Sequence, residues 1–286
     1  MEEKRFHREQ YPMDTLKEFG LTREMINDLP DFVHDSIQMG GKSPLLPICF
    51  QQKYGEVHTY ARFCLVETDK GIDVIFMPKL KTVNLDAFPD EERELLLKGK
   101  VIVADIIETL NGIDGVQTIQ QVKAFVQLDK DTNSVVYSHT PIIGRNLTAV
   151  SNEYDITGEE LQTIWNGNLV TVKDTDSKGT EYPVTIGVDL FTDKGVIVVP
   201  GTADRWERTV RQSMPEYSFG NYGCWVNRKG HLRYYPDNQF TQDIRNALER
   251  SIKRNSYTLD EKVYIDEHTH TYAQEIAETN GKQLTH

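Results

Sequence analysis

The chain has 286 residues, and what it lacks narrows its identity first. It has only three cysteines, Cys49, Cys64 and Cys224, too few for a disulfide framework and without the close paired spacing of a structural zinc site. No run approaches the roughly 18 to 20 continuous apolar residues that a membrane span requires. Met1-Glu2-Glu3-Lys4-Arg5 leads into polar sequence where a signal peptide would place its apolar core, so a cytoplasmic address with no membrane partner is the expectation. Basic charge is also in short supply: 32 Lys and Arg against 44 Asp and Glu leave a net charge of -12. That balance excludes a protein that coats nucleic acid with its whole surface, though not one with a local basic patch. Phosphate loops, dinucleotide-binding glycine fingerprints, zinc-protease helices and serine nucleophile elbows are all missing, and no cofactor is expected.

What is present is a repeat. Glu91 to Leu97 reads as a short charged helix stopped by Gly99, a residue suited to the left-handed position after a helix. Strands Val101 to Ile107 and Val122 to Leu128 follow, separated by a polar insertion, and Asp129-Lys130-Asp131-Thr132-Asn133 turns the chain into Ser134 to Tyr137. The same order recurs downstream. Thr157-Gly158-Glu159-Glu160 is a capping-box arrangement that opens a helix ending at Gly167, and strands 168–173, 182–191 and 196–199 follow. A looser copy comes earlier, with Gly41, strands 45–50, 58–66 and 72–77, and two short helices ahead of it at 14–19 and 22–28. Gly41, Gly99 and Gly167 then mark equivalent points. A short helix and a three-stranded meander each need one apolar face covered, so the expected fold is α+β: consecutive units of one short helix plus a three-stranded antiparallel meander, followed by a C-terminal α+β module. The expected divisions are an N-terminal module at 1–82, repeated units at 83–150 and 151–200, and a C-terminal module with a flexible tail at 201–286.

Asp14 to Glu24, Leu45-Leu46-Pro47-Ile48, the Ala61-Arg62-Phe63 strand, Leu96-Leu97-Lys98-Gly99 and the Asp129 to Asn133 turn together resemble a family. It comprises repeat-domain proteins of unknown function encoded on conjugative or mobile elements of anaerobic gut bacteria. The resemblance covers roughly residues 11 to 200. It implies an N-terminal helical and β domain followed by repeated domains, and an accessory role in element transfer or DNA processing, with no activity assigned to any residue.

Charge is uneven. Residues 205 to 254 hold ten basic and five acidic side chains, so the remaining 236 residues carry a net -17. Eight aromatic residues interleave with the basic ones, the pairing that single-stranded nucleic-acid surfaces use when guanidinium groups meet phosphates and rings stack on bases. The candidate binding residues are Arg205, Trp206, Arg208, Arg211, Trp225, Arg228, Lys229, Arg233 and Tyr235, with an acidic protein surface or single-stranded nucleic acid as partner. The competing structural reading is a hairpin core turning at Arg228-Lys229-Gly230 and a helix over 241–254 with Ile244, Leu248 and Ile252 as its apolar stripe.

Two weaker constellations complete the inventory. Cys224 with His231 across the proposed turn suggests a thiol hydrolase, against the alternative of a buried structural cysteine. His268 and His270 would share one side of a strand and could ligate a metal, but no third ligand stands at a defined distance. Cys49 and Cys64 fall on neighbouring strands as apolar fillers. The reading that follows is a non-enzymatic binding or scaffold protein, with single-stranded nucleic-acid binding through 205–254 and a hydrolase at Cys224 as alternatives.

Overall fold

A computed structural model describes residues 4–111, 117–206, 210 and 213–256. Three short helices open the chain: α1 (Met13–Glu18), α2 (Arg23–Asn27) and α3 (Asp31–Gln38). Four three-stranded antiparallel meanders follow, each with its strands in sequence order. The first is β1 (Leu46–Gln52), β2 (Gly55–Thr68) and β3 (Gly71–Pro78). After α4 (Asp90–Leu97) comes the second, β4 (Ile102–Asn111), β5 (Gln117–Asp129) and β6 (Ser134–His139). Helices α5 (Thr140–Glu153) and α6 (Gly158–Trp165) lead to the third, β7 (Val170–Thr175), β8 (Glu181–Val188) and β9 (Val196–Pro200). The fourth, β10 (Tyr217–Phe219), β11 (Gly223–Arg228) and β12 (His231–Pro236), is followed by α7 (Gln242–Ser256). The architecture is α+β.

The helix ends follow from local chemistry. The Thr157 hydroxyl accepts from the Glu160 amide at 3.3 Å, and the Glu160 carboxylate accepts from the Thr157 amide at 2.9 Å, a reciprocal capping box that opens α6. Asp90, Glu91 and Glu92 place negative charge at the positive end of α4. Gly99 and Gly167 take φ of +84° and +76° and close α4 and α6 through backbone bonds back to Leu96 and Ile164. In the first copy the equivalent residue is Gly40, at φ +86°, and not Gly41. The Gly40 amide reaches back to Ile37, which places the left-handed residue one position earlier than the Gly-Gly pair suggests.

Three differences from the sequence reading have physical causes. The described part of the polar insertion of the second meander, 108–111 and 117–121, is strand: β4 and β5 pair from Ile102 opposite Val126 out to Asn111 opposite Gln117. One face of that outer ribbon is exposed and the other, with Ile106, Glu108, Gln120 and Val122, is half-buried, and both faces mix apolar with polar residues, so the alternation that marks a strand is weak. Helix α5 runs across residue 150, and its Pro141, Gly144, Asn146 and β-branched residues weaken any helical signal before packing supplies it through Ile143 and Leu147. The C-terminal module carries a third strand, β10, too short to show periodicity.

Packing ties distant segments together. The core against β1 to β3 contains Phe6, Leu16, Ile26, Val33 and Ile37 from the N-terminal segment and Met214, Trp225 and Leu232 from the C-terminal one. Sheet two is covered on both faces, which is why Ala124 to Asp129 form one continuous buried run. Phe125 joins the core of α5, α6 and the third meander, whereas Val126 and Leu128 pack with Leu96 of α4.

Candidate functional site

The ends of the meanders converge on a cleft of about 440 Å³ between α3, β2 and the turns that follow β5, β8 and β11. Val33, Phe191 and Leu232 supply apolar wall, and Lys42, Arg62 and Asp189 supply charge. Arg62 is held in place from three sides. Its guanidinium donates to Asp129 at 2.9 Å and to the Ser43 carbonyl at 2.8 Å, and it pairs with Asp131. The Lys42 ammonium donates to the Leu190 carbonyl at 2.8 Å and lies 5.1 Å above the Phe191 ring. The Leu190 amide donates to Gln127 at 2.8 Å, so this one residue links the first, second and third meanders. Burial pulls the Lys42 ammonium below the usual lysine range, opposed by the negative charges of its surroundings. The cleft therefore combines apolar walls with a few fixed, partly desolvated polar groups, the composition of a small-molecule or segment-binding site.

The basic, aromatic segment is used differently from its sequence signature. Trp225 is fully buried, and its indole N–H donates to the Met25 carbonyl at 2.9 Å, so its assignment to a binding surface is corrected to core. Tyr234 lies beside it and donates its hydroxyl to Asp28 at 2.6 Å. The Asp28 carboxylate also accepts the backbone amides of Asn221 and Tyr222 at 2.7 and 3.0 Å. Burial raises the Asp28 carboxyl above its ordinary range, and those donors oppose the shift. Gly220 is required there, since a Cβ would stand 2.3 Å from the Asp28 carboxyl carbon.

Arg228 and Arg233 are similarly engaged. Arg228 pairs with Glu216 and lies 5.1 Å over the Tyr217 ring, and Arg233 lies 5.0 Å over the half-buried Tyr235. Lys229 is exposed in the β11–β12 turn, at φ +54°. Arg205 ends a short turn over Ala203–Arg205, and the Trp206 ring packs against Gly187. Arg208, Arg211, His268 and His270 lie outside the described residues.

The thiol-hydrolase geometry does not form. Cys224 stands opposite Tyr235 and His231 opposite Arg228, at the far end of the hairpin. Burial pushes the Cys224 thiol up to about 12, so it is protonated at neutral pH, and the His231 ring meets Tyr60 edge-on at 5.5 Å. The physical reason is the register: a two-residue turn fixes which residues face each other, and seven positions of separation place these two about four residues apart along the strands.

No family model and no curated protein matches the chain.

A further cluster was not evident in the sequence. Cys49 on β1 stands opposite His58 on β2, with Glu56 two residues before it on the same face. Their ligand atoms lie within 4.8 Å of one another. The Glu56 carboxylate meets His58 Nε2 at 2.9 Å and also accepts from the Cys49 thiol, which raises the thiol above its ordinary range and lowers the carboxyl. The only trace in the sequence is a Cys at one end of a hairpin and a Glu-x-His at the other, and register alone brings them together. Cys64 stands opposite Ile75, remote from Cys49 along the sheet. Among the described residues no helix is long and apolar enough to cross a membrane.

Proposed function

We propose that this protein is a non-enzymatic binding or scaffold protein whose ligand site is the cleft around Lys42 and Arg62. The observation that carries the reading is the convergence of all four meanders on one cleft of about 440 Å³, with rigid strands and paired charges holding its walls. Site groups on such elements are pre-organised, which lowers the entropy cost of binding. Asp129, Asp131 and Asp189 outnumber the cations Lys42 and Arg62 around the cleft, so the ligand chemistry that fits is an apolar body with an uncharged acceptor for the Lys42 ammonium. An accessory role in a mobile genetic element, implied by the family resemblance, is one setting for such a module.

The test is a fragment and short-peptide screen by ligand-observed NMR, on the wild type and on Lys42→Met and Ser213→Trp. Binders that lose tenfold or more in affinity in Lys42→Met, and are excluded by Ser213→Trp, support the cleft. Binders indifferent to both substitutions place the site elsewhere. Nucleic-acid binding through 205–254 draws less support, because Trp225, Tyr217, Tyr234 and Tyr235 are occupied by internal contacts. Under this reading a labelled single strand binds weakly at low salt and is unaffected by Arg233→Ala. A steep salt dependence that Arg233→Ala reduces would favour the nucleic-acid reading instead.

A further inference from the structure

The hairpin β1–β2 holds a donor set that the cleft does not use. We propose that Cys49, Glu56 and His58 form a mononuclear Zn²⁺ site with its fourth position open to water. The backbone prepares it. The Cys49 amide points away from β2 and donates to the Phe19 carbonyl at 3.0 Å, so Cys49 and His58 are a non-hydrogen-bonded pair. Such pairs bring their Cα atoms to about 4.5 Å and their side chains closer than in the alternate pairs. Glu56 stands on the same face, and all three donor atoms already lie within 4.8 Å of one another. A tetrahedral ion at about 2.0 to 2.3 Å from each donor sets them about 3.5 Å apart, a spacing within small side-chain rotations of the present one.

The donor chemistry selects the ion. A thiolate and an imidazole disfavour the hard cations Mg²⁺ and Ca²⁺, and one sulfur, one nitrogen and one oxygen suit Zn²⁺. The arrangement is poor for nucleophilic catalysis, because Glu56 stands between the thiol and the imidazole and accepts from both. Glu56 and His58 are 49% and 71% exposed, so the ion would enter from solvent and keep a water. On binding, the ion takes the place of the thiol proton, which leaves to solvent, and the neutral imidazole ligates through the ring nitrogen that carries no proton, its one N–H staying on the other ring nitrogen.

The test uses the full reduced chain and Co²⁺ as a spectroscopic probe. The expected result is a thiolate-to-cobalt charge-transfer band that saturates at one equivalent and is displaced by Zn²⁺. The band disappears in Cys49→Ser, weakens at least tenfold in His58→Ala and Glu56→Gln, and survives in Cys64→Ser and in the double substitution His268→Ala/His270→Ala. His58 is exposed, so its variant tests the site even if Cys49→Ser unfolds; far-UV circular dichroism reports the fold in each case. Absence of the band in folded wild type, its persistence in Cys49→Ser, or its loss in the His268/His270 variant overturns the site.

Discussion

Two β-ribbons in this molecule use similar residue types to opposite ends. β11–β12 presents Trp225 and Leu232 to the N-terminal helices and buries both almost completely. The outer half of β4–β5 leaves Ile107 and Ile119 at 75% and 72% exposure. The difference lies in what is above each ribbon. α2 and α3 close over the first, and Asp28 ties the β10–β11 loop down. β6 spans only Ser134–His139, so the third strand stops at the level of Ala124 and the second ribbon continues alone. A sticky-looking sequence thus became core, and a polar-looking one became the part that shows isoleucine to solvent.

The largest test of this contrast is Trp225→Ala, expected to cost about 3 to 5 kcal/mol through the lost ring and the cavity left behind. A loss of unfolding free energy, from urea titration, of less than a quarter of that would mean the hairpin is peripheral. Next comes acid sensitivity of the same core. His34 is 1% exposed on α3, and burial depresses its pKa from 6.5 to about 4. The folded state therefore resists protonation that the unfolded chain accepts. Stability is fully present above pH 6.5 and is lost as the pH falls towards 4, by on the order of 3 kcal/mol. Urea midpoints at the two ends of that window should converge in His34→Leu; an equally acid-sensitive variant would assign the loss to other groups. The smallest effect belongs to Ile107→Thr with Ile119→Thr, expected to change stability by less than about 0.5 kcal/mol each. A large, concentration-dependent loss there would show that the ribbon is covered by a second copy and would erase the contrast.

Legibility in the sequence followed the same physics. The α4 and α6 units were readable because caps, glycine stops and meander turns are local, and each is written in five or six consecutive residues. The site was not. Nothing beside Lys42 and Arg62 in the chain marks them as a site, because their partners Leu190, Asp129 and Asp131 stand up to 148 positions away. Within the basic and aromatic cluster Trp225 is core and not surface, because composition does not distinguish a ring that stacks on a base from one that fills a core. Cys224 and His231 failed for the reason that Cys49 and His58 succeeded: strand register decides which residues meet, and spacing along the chain is only part of register.

The sequence by itself determined the alternation of short helices and antiparallel meanders, because capping, turn chemistry and hydrophobic period act within a few residues of one another. Only the tertiary structure decided that the first and last meanders share one core, that a cleft opens where the four meet, and that a thiol, a carboxylate and an imidazole face one another on β1–β2. Those outcomes depend on contacts between segments far apart in the chain, where burial and pairing are settled by the whole fold.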